Sequence, residues 1–141
     1  MPHRERTAWT WLAGLVVIFS IYFTVVILKE PAEPPFLERI RDLAIALGTL
    51  GVLALVTQAL PRLTPAGREA AKMDERDRLI EYKAASRSYQ VLIFGMILIG
   101  CIMPFTEPAW KIVNTALLAI AIAEATRVAS VLLGYRRGFH A

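Results

Sequence analysis

Four long apolar blocks constrain the fold of this chain more than any other feature of its sequence. A helix needs about 20 apolar residues to cross a bilayer, and blocks near that length lie at about residues 8–28, 43–60, 88–103 and 110–133. The chain is 56% hydrophobic, whereas soluble domains are about 45–50% apolar. The sequence therefore predicts an all-α integral membrane protein and disfavours a soluble enzyme.

The length of the chain limits how these blocks can be organised. Four spans of about 20 residues use most of the 141 residues, and the remainder is too short for a separate domain outside the membrane. We therefore expect one domain, residues 1–141, folded as a four-helix bundle made of two helical hairpins.

Residues 61–87 form the one substantial polar stretch between spans. Residues 64–67 have the Pro and Gly content of a turn, and helix-forming residues follow from about Arg68. We expect a linker and then a helix that runs without interruption from residue 74 to residue 103, so that its first turns lie outside the bilayer.

The distribution of charge predicts an orientation. The chain has 16 Lys+Arg, 12 Asp+Glu and a net charge of +4, and Lys and Arg collect in the cytoplasmic segments of membrane proteins. If both ends and residues 61–87 lie on one side, that side holds 11 of the Lys+Arg residues. We therefore expect both termini in the cytoplasm. The apolar spans make the lipid bilayer a partner, and the positive net charge follows from the cytoplasmic segments without any direct contact with nucleic acid.

Glu124 and Arg127 are two charged residues inside the otherwise apolar fourth block. A charge at that depth is costly unless it is paired, and residues three apart lie on one helix face. Three interpretations remain open: an ion pair that fixes helix packing, a site for a partner helix or polar ligand, and part of a proton or ion path.

Charges of both signs alternate along the helix that precedes the third span. The residues expected to dock a protein partner are Asp74, Glu75, Arg76 and Lys83. The alternative is a solvated surface whose charges pair with one another, although Asp77 and Glu81 are like-charged i,i+4 neighbours that repel. Lipid headgroups fit this pattern poorly, because they favour uncompensated clusters of Lys and Arg.

Small residues at close spacing mark sites where helices approach one another. They are Ala44, Gly48 and Gly51 in the second span and Ala116, Ala119, Ala123 and Ser130 in the fourth. Packing within the chain explains them, and the face of a homodimer is the alternative.

Residue types that carry catalysis or bind metal are sparse. His3 and His140 have no other ligand types near them in the sequence, and the single cysteine, Cys101, cannot form a disulfide within the chain. The sequence has no phosphate-binding Gly loop and no Ser/His/Asp or Cys/His set. We expect no enzyme activity, no metal and no cofactor.

The charged helix and the fourth span also carry a resemblance to a known family. The residues concerned are Asp74-Glu75-Arg76, Ile80, Lys83-Ala84, Ser88-Tyr89, Glu124, Arg127 and Tyr135-Arg136-Arg137-Gly138. Over residues 73–138 this pattern resembles a family of small, predicted four-span bacterial membrane proteins classed as a domain of unknown function. The resemblance implies the inner membrane as location. It also implies a cytoplasmic helix-turn-helix regulator as partner, because such regulators are often encoded beside members of the family.

These features together predict a membrane-anchored interaction or regulatory protein that acts through its cytoplasmic helix. The alternative is a small transporter or ion-permeable oligomer that uses Glu124 and Arg127. Transport requires polar residues along a continuous path on several helices, whereas docking requires a dense charged face outside the bilayer. The sequence favours docking.

Reporter fusions test the predicted orientation. We expect fusions after Gly67 and after Gly138 to give a cytoplasmic signal and a fusion at Ala32 to give a periplasmic one, because Lys and Arg are concentrated beside the first two positions. A periplasmic signal from the Gly67 fusion would overturn the assignment of all four spans.

Overall fold

The computed structural model describes residues 3–30 and 34–136, and five α-helices make up most of this part of the chain. They are α1 (His3–Lys29), α2 (Phe36–Ala54), α3 (Pro65–Ala71), α4 (Glu75–Cys101) and α5 (Ala109–Arg136). No strand occurs among these residues, so the all-α prediction is confirmed. Ala32, His140 and the Arg137-Gly138 pair of the family resemblance lie outside the described residues.

Four helical segments of the described chain are long and apolar enough to cross a membrane. They are Glu5–Lys29, Phe36–Ala59, Glu75–Phe105 and Ala109–Arg136, which confirms the predicted number of spans. The second and third begin well before the apolar blocks at residues 43 and 88. The charged residues ahead of these blocks form the first turns of the same helices. Their long side chains can extend to the polar interface, so they are compatible with a helix that enters the membrane.

The second span changes its winding before it ends. A proline has no N–H and cannot be accommodated in the interior of a regular α-helix, and Pro61 follows this segment in the sequence. The chain widens into a π turn at Leu55–Ala59, where the N–H of Leu60 donates to the carbonyl of Leu55, and then tightens into a 3-10 turn at Leu60–Leu63. The predicted end of the span, at residue 60, therefore lies inside a helical segment of altered winding.

Residues 64–67, predicted as a turn, begin a helix instead. Thr64 Oγ1 accepts a hydrogen bond from the N–H of Gly67 at 3.1 Å, and Pro65 occupies the first helical turn, where its missing N–H has no cost. After α3 the chain is extended at Lys72 and Asp74. The polar stretch thus forms two helices separated by a short break, rather than one that starts at Arg68.

Contacts group the chain into two units, Met1–Lys72 and Met73–Ala141. In the first unit α1 and α2 run antiparallel, because Lys29 Nζ lies 2.6 Å from Asp42 Oδ2 at one end and Gly14 faces Leu53 towards the other. Buried side chains recur every three or four residues on one face of α1, and they are Trp11, Leu15, Phe19 and Tyr22. The predicted assembly of all four spans into one domain and one bundle stays a prediction.

In the second unit α4 and α5 pack antiparallel along most of their length. Ser88 Oγ donates to the carbonyl of Ala123 at 2.8 Å. Two turns farther along α4, a Cβ placed on Gly95 would lie 3.0 Å from the Cβ of Ala119, so the missing side chain lets the helices approach closely. Ala119 and Ala123, two of the small residues singled out in the fourth span, therefore lie between these helices.

The small residues of α2 have a different environment. A Cβ on Gly48 or Gly51 would have no described atom within 4 Å, and Ala44 is exposed. Packing among the described residues therefore does not account for this second set. The homodimer face stays a prediction.

The contact between Gly134 and Ile80 provides a test of the α4–α5 packing. A Cβ on Gly134 would lie 2.7 Å from Ile80 Cγ2, and Ile80 is buried and restricted at χ1 by its branched Cβ. We expect Gly134→Ala to reduce stability by about 1–3 kcal/mol, measured as a lower Tm in detergent. The matched control is Gly100→Ala in α4, where a Cβ meets no described atom within 4 Å and better helix propensity should leave stability equal or higher. Equal Tm values for the two variants would contradict the close contact.

Candidate functional site

Glu124 and Arg127 form an ion pair with two hydrogen bonds on one face of α5. Arg127 Nη2 donates to Glu124 Oε1 at 2.7 Å, and Arg127 Nε donates to Oε2 at 3.1 Å. The spacing of three residues makes them neighbours on the helix surface, and the guanidinium fork matches the two carboxylate oxygens. The side chains are 31% and 29% exposed, so the pair is only partly screened by solvent.

Glu81 of α4 adds a second carboxylate to this pair. Its Oε2 lies 3.4 Å from Arg127 Nη1, so one guanidinium joins acids from two helices. These three residues, Glu81, Glu124 and Arg127, are called the Arg127 cluster below. The sequence does not couple Glu81 to Arg127, because 46 residues separate them. The available signal is the position of Glu81 near Ile80 and Ala84, two of the apolar residues in a stretch that is rich in charge.

Asp77 makes a second polar contact between the same helices, one turn before Glu81. Tyr135 Oη donates to Asp77 Oδ1 at 2.9 Å. The repulsion expected between Asp77 and Glu81 is therefore offset, because each carboxylate faces a hydrogen-bond donor on α5. Tyr135, which the sequence placed at the end of the fourth span, thus also connects α5 to α4.

An apolar cluster lies between these polar contacts. Ile80, Ala84 and Val131 are buried, and Tyr135 packs against them. Apolar surroundings of this kind lower the local dielectric and strengthen the neighbouring hydrogen bonds and ion pairs. The polar contacts and the apolar cluster therefore fix one arrangement of α4 on α5.

The composition of the Arg127 cluster limits its chemistry. Two carboxylates share one guanidinium that stays charged at any physiological pH, so the cluster can hold helices together, and it carries more acid than base. Among the described residues, no group of three or more His, Cys, Asp and Glu has the geometry of a metal site.

The four docking candidates lie on other parts of α4. Asp74 caps the helix by accepting from the N–H of Glu75 at 2.8 Å, and Glu75, Arg76 and Lys83 are exposed. Arg76 and Lys83 are seven residues apart and so lie on one side of the helix. Glu75, Arg76 and Lys83 point to solvent, whereas Glu81 of the Arg127 cluster turns to α5. Asp74 lies on the same side of the helix as Glu81 but about two turns before it.

Comparison with known proteins identifies a family for nearly the whole chain. A family model described as "Predicted membrane protein (DUF2178)" matches residues 5–139. The match therefore includes the N-terminal spans as well as the region that carries the sequence resemblance. No curated protein and no solved structure matches the chain.

Substitutions in the Arg127 cluster measure how much each carboxylate contributes to the stability of the fold. We expect Glu124→Ala to reduce stability by about 2–3 kcal/mol, less than the roughly 3–5 kcal/mol lost when a fully buried pair is broken. Glu81→Ala should cost less, because its contact with Arg127 is longer, at 3.4 Å. Glu124→Gln should also cost less than Glu124→Ala, because the amide keeps a hydrogen-bond acceptor. The measurement is Tm in detergent, and an unchanged Tm for Glu124→Ala would argue against the structural role and for a ligand or proton.

Proposed function

The chain belongs to this family of predicted membrane proteins, and from that premise we propose that it is a non-enzymatic interaction or regulatory protein anchored in the membrane. In this proposal the Glu75 end of α4 lies in the cytoplasm and binds a cytoplasmic protein. The residues that dock it are Asp74, Glu75, Arg76 and Lys83. The resemblance favours a helix-turn-helix regulator as that protein, and it favours the inner membrane as the location, with both termini in the cytoplasm.

The observation that carries the proposal is the way in which α5 holds the charged end of α4. Asp77 and Glu81 bind donors on α5, and Ile80 is buried between them. The first turns of α4 are therefore tied to a second helix. A surface ordered in advance loses little conformational entropy when a partner binds, and this favours affinity.

The exposed side of the same turns carries charges that suit recognition. Glu75 and Arg76 are adjacent, opposite in sign and exposed. Charges at the rim of an interface chiefly set specificity and association rate. Exposed pairs contribute only about 0–1 kcal/mol to folding, so these residues can be changed without loss of the fold.

Transport by a small transporter or ion-permeable oligomer is the second candidate, and Glu81 is the observation that favours it. Glu81 and Glu124 bind the same guanidinium, so the cluster contains two groups able to hold a proton. The pairing with Arg127 weighs against this candidate, because hydrogen bonds to Arg127 already engage both carboxylates. The test is proton or ion flux through the reconstituted protein. A flux that is lost in Glu124→Gln would support transport.

Charge reversal at the start of α4 tests the docking proposal. We expect Glu75→Arg and Arg76→Glu each to abolish co-purification of a cytoplasmic protein from native membranes, because like charges placed against a partner cost several kcal/mol. Membrane insertion and Tm should change little, since both side chains are exposed. A photo-crosslinking residue at position 76 should capture the same protein.

The matched control for these reversals is Glu69→Arg. Glu69 is exposed and lies on the neighbouring helix α3, where it pairs with Lys72, and its reversal should leave co-purification intact. Equal loss in all three variants would indicate a general charge effect. A lowered Tm in Glu75→Arg or Arg76→Glu would assign the segment to packing. Either result would contradict the docking proposal.

A further inference from the structure

The third span is longer than the hydrocarbon of a bilayer. It runs over Glu75–Phe105 and has 31 residues, which is about 46 Å at 1.5 Å per residue, whereas the hydrocarbon core is about 30 Å thick. Residues 88–105 contain no charged side chain, and their length of about 27 Å fills most of that core. The charged turns before residue 88 therefore extend into water.

Two exposed apolar side chains lie on these charged turns. Leu79 is 43% exposed and Tyr82 is 74% exposed, and a spacing of three residues makes them neighbours on the helix surface. They lie about 9–14 Å before residue 88 along the helix axis. The acyl chains that cover the exposed Ile93 and Phe94 therefore do not reach them.

The helix presents this apolar pair on the side opposite to α5. Asp77, Ile80 and Glu81 face α5, and at about 100° per residue the opposite side of α4 passes between Leu79 and Tyr82. The contacts with α5 hold these turns in place. The outer face is therefore ordered before a partner binds, which reduces the conformational entropy lost on binding.

Arginines lie on both sides of the apolar pair. Arg76 is three residues before Leu79, and Arg78 is four residues before Tyr82, so each is a neighbour of one apolar side chain. Both arginines are exposed, and no described residue forms an ion pair with either of them. Tyr and Arg are the residue types that most often dominate binding energy at interfaces, and the guanidinium fork binds carboxylates with two hydrogen bonds.

The acids of these turns lie at the start of the helix. Glu75 is exposed and is four residues before Leu79, so it forms one end of the surface. Asp74 is exposed as well, four residues before Arg78, and it reduces the positive potential on that side. Lys83 is four residues after Leu79 but has another interaction, so the inference does not depend on it. The surface is therefore negative at its first turn and positive beside the apolar pair.

We propose that an acidic amphipathic helix of the partner binds to α4 on a surface formed by Glu75, Arg76, Arg78, Leu79 and Tyr82. Apolar side chains three or four residues apart on the partner helix pack against Leu79 and Tyr82, as in other pairs of helices that bind through an apolar seam. Carboxylates beside that seam accept hydrogen bonds from the two guanidinium groups, and a basic side chain meets Glu75.

This inference deepens the docking function proposed above, and it rests on that function for the cytoplasmic position of the surface. It adds Leu79, Tyr82 and Arg78 to the docking residues, and it gives the partner a chemical character. A second copy of this chain is a poor match, because its own surface would place arginines against arginines.

Two synthetic helical peptides test the proposal on the full chain in phosphatidylcholine nanodiscs. Both carry leucine at heptad positions a and d, and the flanking positions are glutamate in one and lysine in the other, so that like charges keep each peptide from pairing with itself. Fluorescence anisotropy of the labelled peptides gives Kd, with protein-free nanodiscs as the blank. We expect the glutamate peptide to bind at least about tenfold more tightly than the lysine peptide.

Substitutions on the surface locate the binding. Leu79→Ala and Tyr82→Ala should each weaken binding of the glutamate peptide about tenfold, because truncation of a central interface side chain has an effect of this order. Arg76→Gln/Arg78→Gln should remove most of the preference for the glutamate peptide. The Tm of each variant should stay unchanged, since all four side chains are exposed.

The matched controls are Tyr89→Ala and Arg87→Gln. Tyr89 is 64% exposed but lies at the start of the uncharged segment, and Arg87 is exposed but lies on another side of the helix from Tyr82. Both variants should bind the glutamate peptide like the unchanged protein. Equal loss in Tyr89→Ala would assign the effect to lipid contact, and equal loss in Arg87→Gln would assign it to net charge.

Either of these results would overturn the proposal, as would equal affinity for the two peptides or a lowered Tm in Leu79→Ala or Tyr82→Ala. Dimerisation of the free protein that Tyr82→Ala abolishes would make a second copy the occupant and would also overturn it. Both faces of a nanodisc are open to the peptides, so the assay is independent of orientation and of the native partner. The docking function fails separately, if the glutamate peptide binds but no cytoplasmic protein co-purifies from native membranes.

Discussion

The charge of Arg127 is the constraint on which the packing of the second unit depends. A guanidinium cannot release its proton inside a protein, so a span that contains one must supply anions to it. Glu124 supplies one from the same helix face, and Glu81 supplies another from α4. The second contact crosses between helices, and it therefore fixes both the rotation and the register of α4 on α5.

The remaining contacts of this unit agree with that register. Ile80 meets Gly134, where a side chain would not fit, and Gly95 meets Ala119. Between them Ser88 donates to a carbonyl of α5, which satisfies a hydroxyl that would otherwise lose its hydrogen bond in an apolar environment. Polar and steric requirements thus select one arrangement, as expected for a sequence whose local and global preferences are consistent.

The same rotation divides α4 into a face that holds the structure together and a face left for interaction. The acids Asp77 and Glu81 turn to α5, and the cations between residues 76 and 87 remain exposed. A stretch that is nearly balanced in composition therefore has a positive exposed side. The docking function proposed above uses this exposed face.

The sequence by itself determined the number of spans, the all-α fold and the neighbourhood of Glu124 and Arg127. These follow from properties of short segments: the apolar length that a bilayer requires, and the spacing that places residues i and i+3 together. The altered winding of residues 55–63 and the helix start at Thr64 also have local causes. At such positions α, 3-10 and π turns compete with non-helical turns, so the sequence did not predict which one forms. Only the tertiary structure decided that Glu81 joins Arg127, that Asp77 joins Tyr135 and that the cations of α4 face outward. Glu81 and Arg127 are 46 residues apart in the chain, and Asp77 and Tyr135 are 58 apart. They meet because of the register between the two packed helices, and that register depends on all the contacts between them at once.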